Sequence, residues 1–116
     1  MVIRNGIRKE YENFRGGKGK IFITWFMEDT PVEGSPLLKV ALVEVPPGSS
    51  VGVHVHEGTE ELYYVIEGKA RYWDGDRQTM VDGGTITFTP SGTSHGIENV
   101  GDGVLRLLAV INKVEG

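Results

Sequence analysis

The sequence predicts an all-β fold, an antiparallel sandwich or a closed barrel, from three observations. Glycine supplies 17 of the 116 residues. Apolar residues come in short runs between Gly, Pro and Asp clusters, and no stretch holds a convincing helical period. Eight or more short strands in such a chain bury their apolar faces only by packing sheet on sheet or by closing a sheet on itself.

Taken in order, Ile7 to Phe14 allows a turn or two of helix at most. Ile21 to Phe26 is rich in β-branched and aromatic residues and reads as the first strand. Leu37 to Val45 is a second run, stopped by Pro46-Pro47-Gly48, where proline removes a backbone donor and fixes φ. Val51 to His56 alternates Val with Gly or His, and Leu62 to Ile66 leads to Gly68. Lys69 to Trp73 and Arg77 to Val81 flank Asp74-Gly75, a two-residue hairpin signal. Thr85 to Thr89 consists of β-formers, and Val104 to Ile111 closes the chain.

Two of these runs, Leu37 to Val45 and Val104 to Ile111, are apolar on both faces. A small barrel has one interior, so the outer faces require another cover. A second sheet of the same chain or a second subunit would serve, and a homodimer is the expectation. The length fits one domain, residues 1–116, with an N-terminal arm at about 1–20.

Net charge is −4, unevenly spread: Met1 to Lys20 carries six Lys or Arg against two Glu, and the remainder is acidic. That balance argues against nucleic-acid binding by the body of the domain. The basic segment reads as solvated, or alternatively as packed on an acidic face. Cysteine is absent, which removes disulfides, thiolate ligands and a Cys nucleophile. There is no apolar run of membrane-spanning length and no signal-peptide pattern at Met1 to Glu10, so a cytoplasmic protein without membrane contact is expected.

All three histidines fall inside two spaced patterns. The first runs Gly48, five residues, His54-Val55-His56, four residues, Glu61, six residues, Gly68. The second runs Gly84, five residues, Pro90-Ser91-Gly92, two residues, His95, three residues, Asn99. Strand alternation points His54 and His56 one way and Val53 and Val55 the other. Gly52 beside them gives the site room. Only one of Glu60 and Glu61 can face inward with them, and the spacing to Gly68 selects Glu61. His95 is brought round from a distant strand by the turn Pro90 to Thr93. Three imidazoles and one carboxylate suit one divalent first-row ion. Manganese, iron, nickel, cobalt, copper and zinc are admissible, and calcium and magnesium are disfavoured by the nitrogen donors. Four ligands on an octahedral ion leave two positions open to water, oxygen or a chelating substrate.

The two patterns resemble the paired motifs of the cupin superfamily, small jelly-roll barrels, with every motif position matched from Gly48 to Asn99. Fifteen residues separate Gly68 from Gly84, as in small single-domain, conserved-barrel members. The resemblance implies a metal, manganese by preference, carried by His54, His56, Glu61 and His95. It implies turn and barrel-geometry roles for Gly48, Gly68, Gly84, Pro90, Gly92 and Asn99. It further implies a metal-dependent enzyme acting on a small carboxylate or other oxygen-chelating substrate, with oxalate-type decarboxylation or oxidation slightly preferred over dioxygenase or isomerase chemistry. A non-catalytic metal-dependent binding protein is the alternative.

Other candidates read more plainly. Tyr63 and Tyr72 are core aromatics before they are substrate contacts. Trp25, Phe26 and Trp73 are packing or dimer-surface residues. Arg71 and Arg106 are read as exposed, and Glu57 and Glu60 as rim charges, Glu57 being the nearest acidic group to a lid acid. Gly16-Gly17-Lys18-Gly19-Lys20 lacks the spacing of a phosphate loop.

Overall fold

The computed structural model describes residues 1–28 and 32–114. Its elements are β1 (Ile7–Glu12), a 3-10 turn (Phe14–Gly16), β2 (Lys20–Glu28), β3 (Leu37–Val45), β4 (Ser50–Val55), β5 (Thr59–Glu67), β6 (Lys69–Asp74), β7 (Arg77–Asp82), β8 (Ile86–Thr89), β9 (Ser94–Asn99) and β10 (Leu105–Lys113). They form two antiparallel sheets, one ordered β1-β2-β3-β10-β5-β8 and one ordered β4-β9-β6-β7. The sheets face each other as a jelly roll and do not close into one hydrogen-bonded ring. Among the described residues, no helix is long and apolar enough to cross a membrane.

The expected strands are present, with three differences. Ile7–Glu12 is strand rather than a helical turn, because it pairs with the open edge of β2 from Ile7↔Trp25 to Glu12↔Lys20. Second, the basic segment keeps its cations exposed while the pairing of β1 with β2 anchors its backbone. It meets the chain's own acids, with Arg8 on Glu44, Lys9 on Glu28, Lys18 on Glu98, and Lys20 on Glu10 and Glu12. Each such exposed pair contributes about 0–1 kcal/mol. Third, the hairpin turn falls one residue later than Asp74-Gly75. Asp74 pairs with Arg77, so Gly75-Asp76 makes the turn, and of the two only Gly75 has positive φ (60°).

The core lies between the inner faces. Ala41, Val43 and Val45 of β3 meet Leu105, Leu107 and Ala109 of β10, and Val51, Tyr72 and Ile97 cover them from the smaller sheet. Simple alternation along β4 fails at one point. Val51 pairs with Ile97 and His54 with His95, three residues against two, so a β-bulge lies between them. The extra residue lets both Val51 and His54 face inward and leaves Val53 outside.

The outer face of the larger sheet is apolar, as both-sided strands require. Two cross-strand rows run over it: Leu42, Leu108, Tyr64 and Ile86, and beside them Val40, Val110, Leu62 and Phe88. Arg106 borders this face, near Glu44 and Glu67.

Candidate metal centre

The bulge, the β4–β9 pairing and the turn after β8 bring three histidines together on the smaller sheet. His54 and His95 are cross-strand partners. His56, just past β4, is held by the turn itself: its N–H donates to the Thr93 carbonyl, and its carbonyl accepts from Gly92 N–H. Glu61 comes from β5, on the opposite sheet, where it shares the buried face with Tyr63 and Val65. The inward choice of Glu61 over Glu60 is thus what the strand displays.

The donor atoms of His54, His56, Glu61 and His95 all lie within 4.8 Å of one another. Glu61 Oε1 is 2.9 Å from His56 Nε2 and 3.0 Å from His95 Nε2. His95 Nε2 is 3.0 Å from His56 Nε2 and 3.3 Å from His54 Nε2. Bonds of about 2.1 Å to one ion would set neighbouring donors about 3.0 Å apart at right angles, so the spacing fits a first-row ion. The chemistry of the set agrees. Nitrogen lone pairs converging at this distance repel unless a proton or a cation lies among them.

Each imidazole is oriented from behind. His54 Nδ1–H donates to the Gly52 carbonyl at 2.7 Å, which leaves Nε2 as the lone-pair nitrogen. His95 Nδ1 meets Thr89 Oγ1 at 2.8 Å and the Tyr72 hydroxyl at 3.3 Å, and His56 Nδ1 meets Thr59 Oγ1 at 3.2 Å. Burial lowers the His54 pKa to about 4, helped by the neighbouring imidazoles of His95 and His56, so the ring is neutral at pH 7. Burial alone would raise Glu61, but the hydrogen bonds from His56 and His95 outweigh it and keep the carboxyl ionised.

A cavity of about 250 Å³ opens over this cluster. Its walls include Ile23, Val43, Val51 and Trp25, with Tyr63 stacked on His95 at 4.9 Å between ring centroids. The Tyr63 hydroxyl has no hydrogen-bond partner among the described residues, and burial pushes its pKa well up, so it keeps its proton. Tyr63 and Tyr72 are core aromatics, as expected, and both also touch the cluster. Trp25 serves the cavity as well as packing, its indole N–H donating to Tyr11 Oη at 2.8 Å. Glu57 is exposed and does not line the cavity.

Gly52 has a role different from the expected one. A Cβ there would stand 2.1 Å from the Arg15 carbonyl oxygen, so the glycine admits the 3-10 turn rather than the ion. Gly17 packs reciprocally on Ser50 and Gly52. Asn99 is buried and stitches a loop, donating to the Val45 and Gly103 carbonyls and accepting from Gly101 N–H.

Sequence reading missed Arg15, Phe14, Thr59 and Thr89. For Thr89 a signal existed, since a polar residue at an inward strand position must find a buried partner. Arg15 had only the glycine cluster beside it.

Three imidazoles on one sheet and a carboxylate on the other, above a small cavity, define a barrel built around a possible ion site. The chain belongs to the cupin superfamily: the cupin domain family matches residues 41–111. It is 38% identical over 113 residues to the oxalate-binding protein of Thermotoga maritima, covering 96% of this chain and 93% of that protein. A crystal structure of a predicted oxalate decarboxylase from the same organism superposes with a TM-score of 0.91 at 36% identity, over 98% of this chain and all of that one. Oxalate decarboxylase OxdC of Bacillus subtilis is 33% identical over 106 residues, 87% of this chain but 27% of OxdC.

Proposed function

We propose that this protein binds one divalent transition-metal ion through His54, His56, Glu61 and His95, manganese by preference, and with it a small carboxylate of the oxalate type. The convergence of the four donor atoms beside a cavity that three of them line is the observation that carries the reading. The likeness to the oxalate-binding protein of Thermotoga maritima supports the ligand class. When bound, the ion supplies a Lewis acid for carboxylate oxygens. The chain's own residues do the rest. Gly52, Thr59 and Thr89 aim the imidazoles, the Tyr63 hydroxyl donates a hydrogen bond to an anionic ligand, and the apolar walls exclude water and strengthen both interactions.

Turnover is a second reading, favoured by the OxdC likeness and by the proton held on Tyr63. Against it, Glu61 is the sole carboxylate lining the cavity among the described residues, so no separate general acid of that type is at hand. The apolar rows on the larger sheet support a homodimer that covers them.

Elemental analysis of untagged protein, wild type beside His56→Ala, tests the site. Near-stoichiometric metal lost in the variant is expected, and no metal in either sample after reconstitution would refute the reading. Calorimetric titration of the manganese-loaded protein with oxalate tests the ligand, and formate release from oxalate separates enzyme from binder.

A further inference from the structure

The cavity is larger than oxalate needs. Oxalate and benzene each have six non-hydrogen atoms, and a cavity of about 150 Å³ holds benzene. The 250 Å³ present here leaves room for several more atoms. Oxalate also has no apolar part to set against Ile23, Val43, Val51 and Trp25.

At its inner end the cavity has the buried cluster. Arg15, an exposed residue, lines the same cavity. The Arg15 guanidinium lies 5.8 Å from the Phe14 ring centroid and has no carboxylate in ion-pair contact among the described residues. Lys39, with its ammonium 5.3 Å from the Trp25 ring centroid, adds positive charge to the lining.

The backbone also singles out Arg15. It sits in the left-handed region, φ 55° and ψ 31°, which glycine adopts without cost and arginine does not. The turn cannot relax by moving away, because Gly17 and Gly52 fix it on β4. An arginine held where glycine would be more comfortable is expected where its side chain is used.

We propose that this cavity takes a dicarboxylate with an apolar spacer, one carboxylate at the histidine–glutamate cluster and the other paired with the Arg15 guanidinium. The inference rests on the carboxylate-binding reading above and names its ligand class. Arg15 is then the residue that sets ligand length and charge.

Calorimetry, with Trp25 fluorescence as a second readout, compares adipate, hexanoate and oxalate on the manganese-loaded protein and on its Arg15→Gly and Arg15→Gln variants. Adipate should bind wild type at least about tenfold more tightly than hexanoate, as a charge-assisted pair implies. The preference should fall to about twofold or less in both variants, with bound manganese unchanged. The Arg15→Gly thermal midpoint should not fall, since glycine suits that backbone. Equal binding of adipate and hexanoate to wild type, or a preference kept in both variants, would overturn the proposal. If oxalate binds but adipate is not preferred, the dicarboxylate proposal falls alone. If no carboxylate binds, it falls together with the carboxylate-binding reading. If manganese is not retained, the adipate preference is read on the metal-free protein, and its absence or its independence from Arg15 overturns the proposal in the same way.

Discussion

Replacing Thr89 with Val changes almost nothing in volume and removes one oxygen. That oxygen is 2.8 Å from His95 Nδ1, and both residues are buried, Thr89 at 2% exposure and His95 at 0%. The same oxygen lies 3.0 Å from the Tyr72 hydroxyl. Leaving a buried polar group without its partner costs about 1–3 kcal/mol. The Tyr72 hydroxyl, already 3.3 Å from the same nitrogen, recovers part of this, so about 1.5 kcal/mol is expected in the metal-free protein. For a chain of this size that lowers the thermal midpoint by about 6 °C. The His95 ring is also less firmly aimed, and loss of such an orienting partner typically weakens metal affinity about 10–100-fold. Differential scanning calorimetry of the metal-free protein and competition titration with a chromophoric chelator measure the two effects. A Thr89→Val variant that melts lower but binds manganese as tightly as wild type would refute the orienting role. A variant unchanged in both would refute the buried contact.

Two other predictions follow from the site and the outer face. In metal-free protein the folded pKa of His54, about 4, lies below its ordinary 6.5, chiefly through burial, so between those values the unfolded chain binds the extra proton. Stability from this source is full above pH 6.5 and falls as pH drops toward 4. The gap corresponds to about 3 kcal/mol at most and, because His54 is only partly buried, to about 1–2 kcal/mol after screening. Urea denaturation between pH 4 and 7 reads it, and a His54→Gln variant with an unchanged pH slope would sink the assignment. On the outer face, Leu108→Asp should convert a dimer to a monomer in sedimentation velocity, and a wild type that sediments as a single chain would end the dimer reading.

The sequence carried the strands and the four clustered residues because both are set by local rules. Period-two alternation and turn residues mark strand runs such as Leu37–Val45; the pleat lets only one of Glu60 and Glu61 face inward, and the spacing to Gly68 selects Glu61. What it concealed depends on pairing. β1 shows no buried face of its own, with Ile7–Glu12 mostly exposed, and is a strand only because β2 has an edge to fill. The bulge between Val51 and His54 exists only in the register with β9. β9, the strand that carries His95, has His95, Gly96 and Asn99 inside and too few apolar residues for its bounds to show in the pattern. Arg15 reaches the cavity through a left-handed turn seated on Gly52, a contact between segments 37 residues apart.

The division of the cluster between sheets has a kinetic meaning. His54, His56 and His95 can assemble when β4 meets β9, but Glu61 arrives only when the larger sheet docks on the smaller one. The full set therefore exists only while the two layers are closed. An ion held by it would act as a clasp across the closed layers. It would slow their opening while leaving the rate of assembly nearly untouched, so the loaded protein would gain lifetime rather than folding speed.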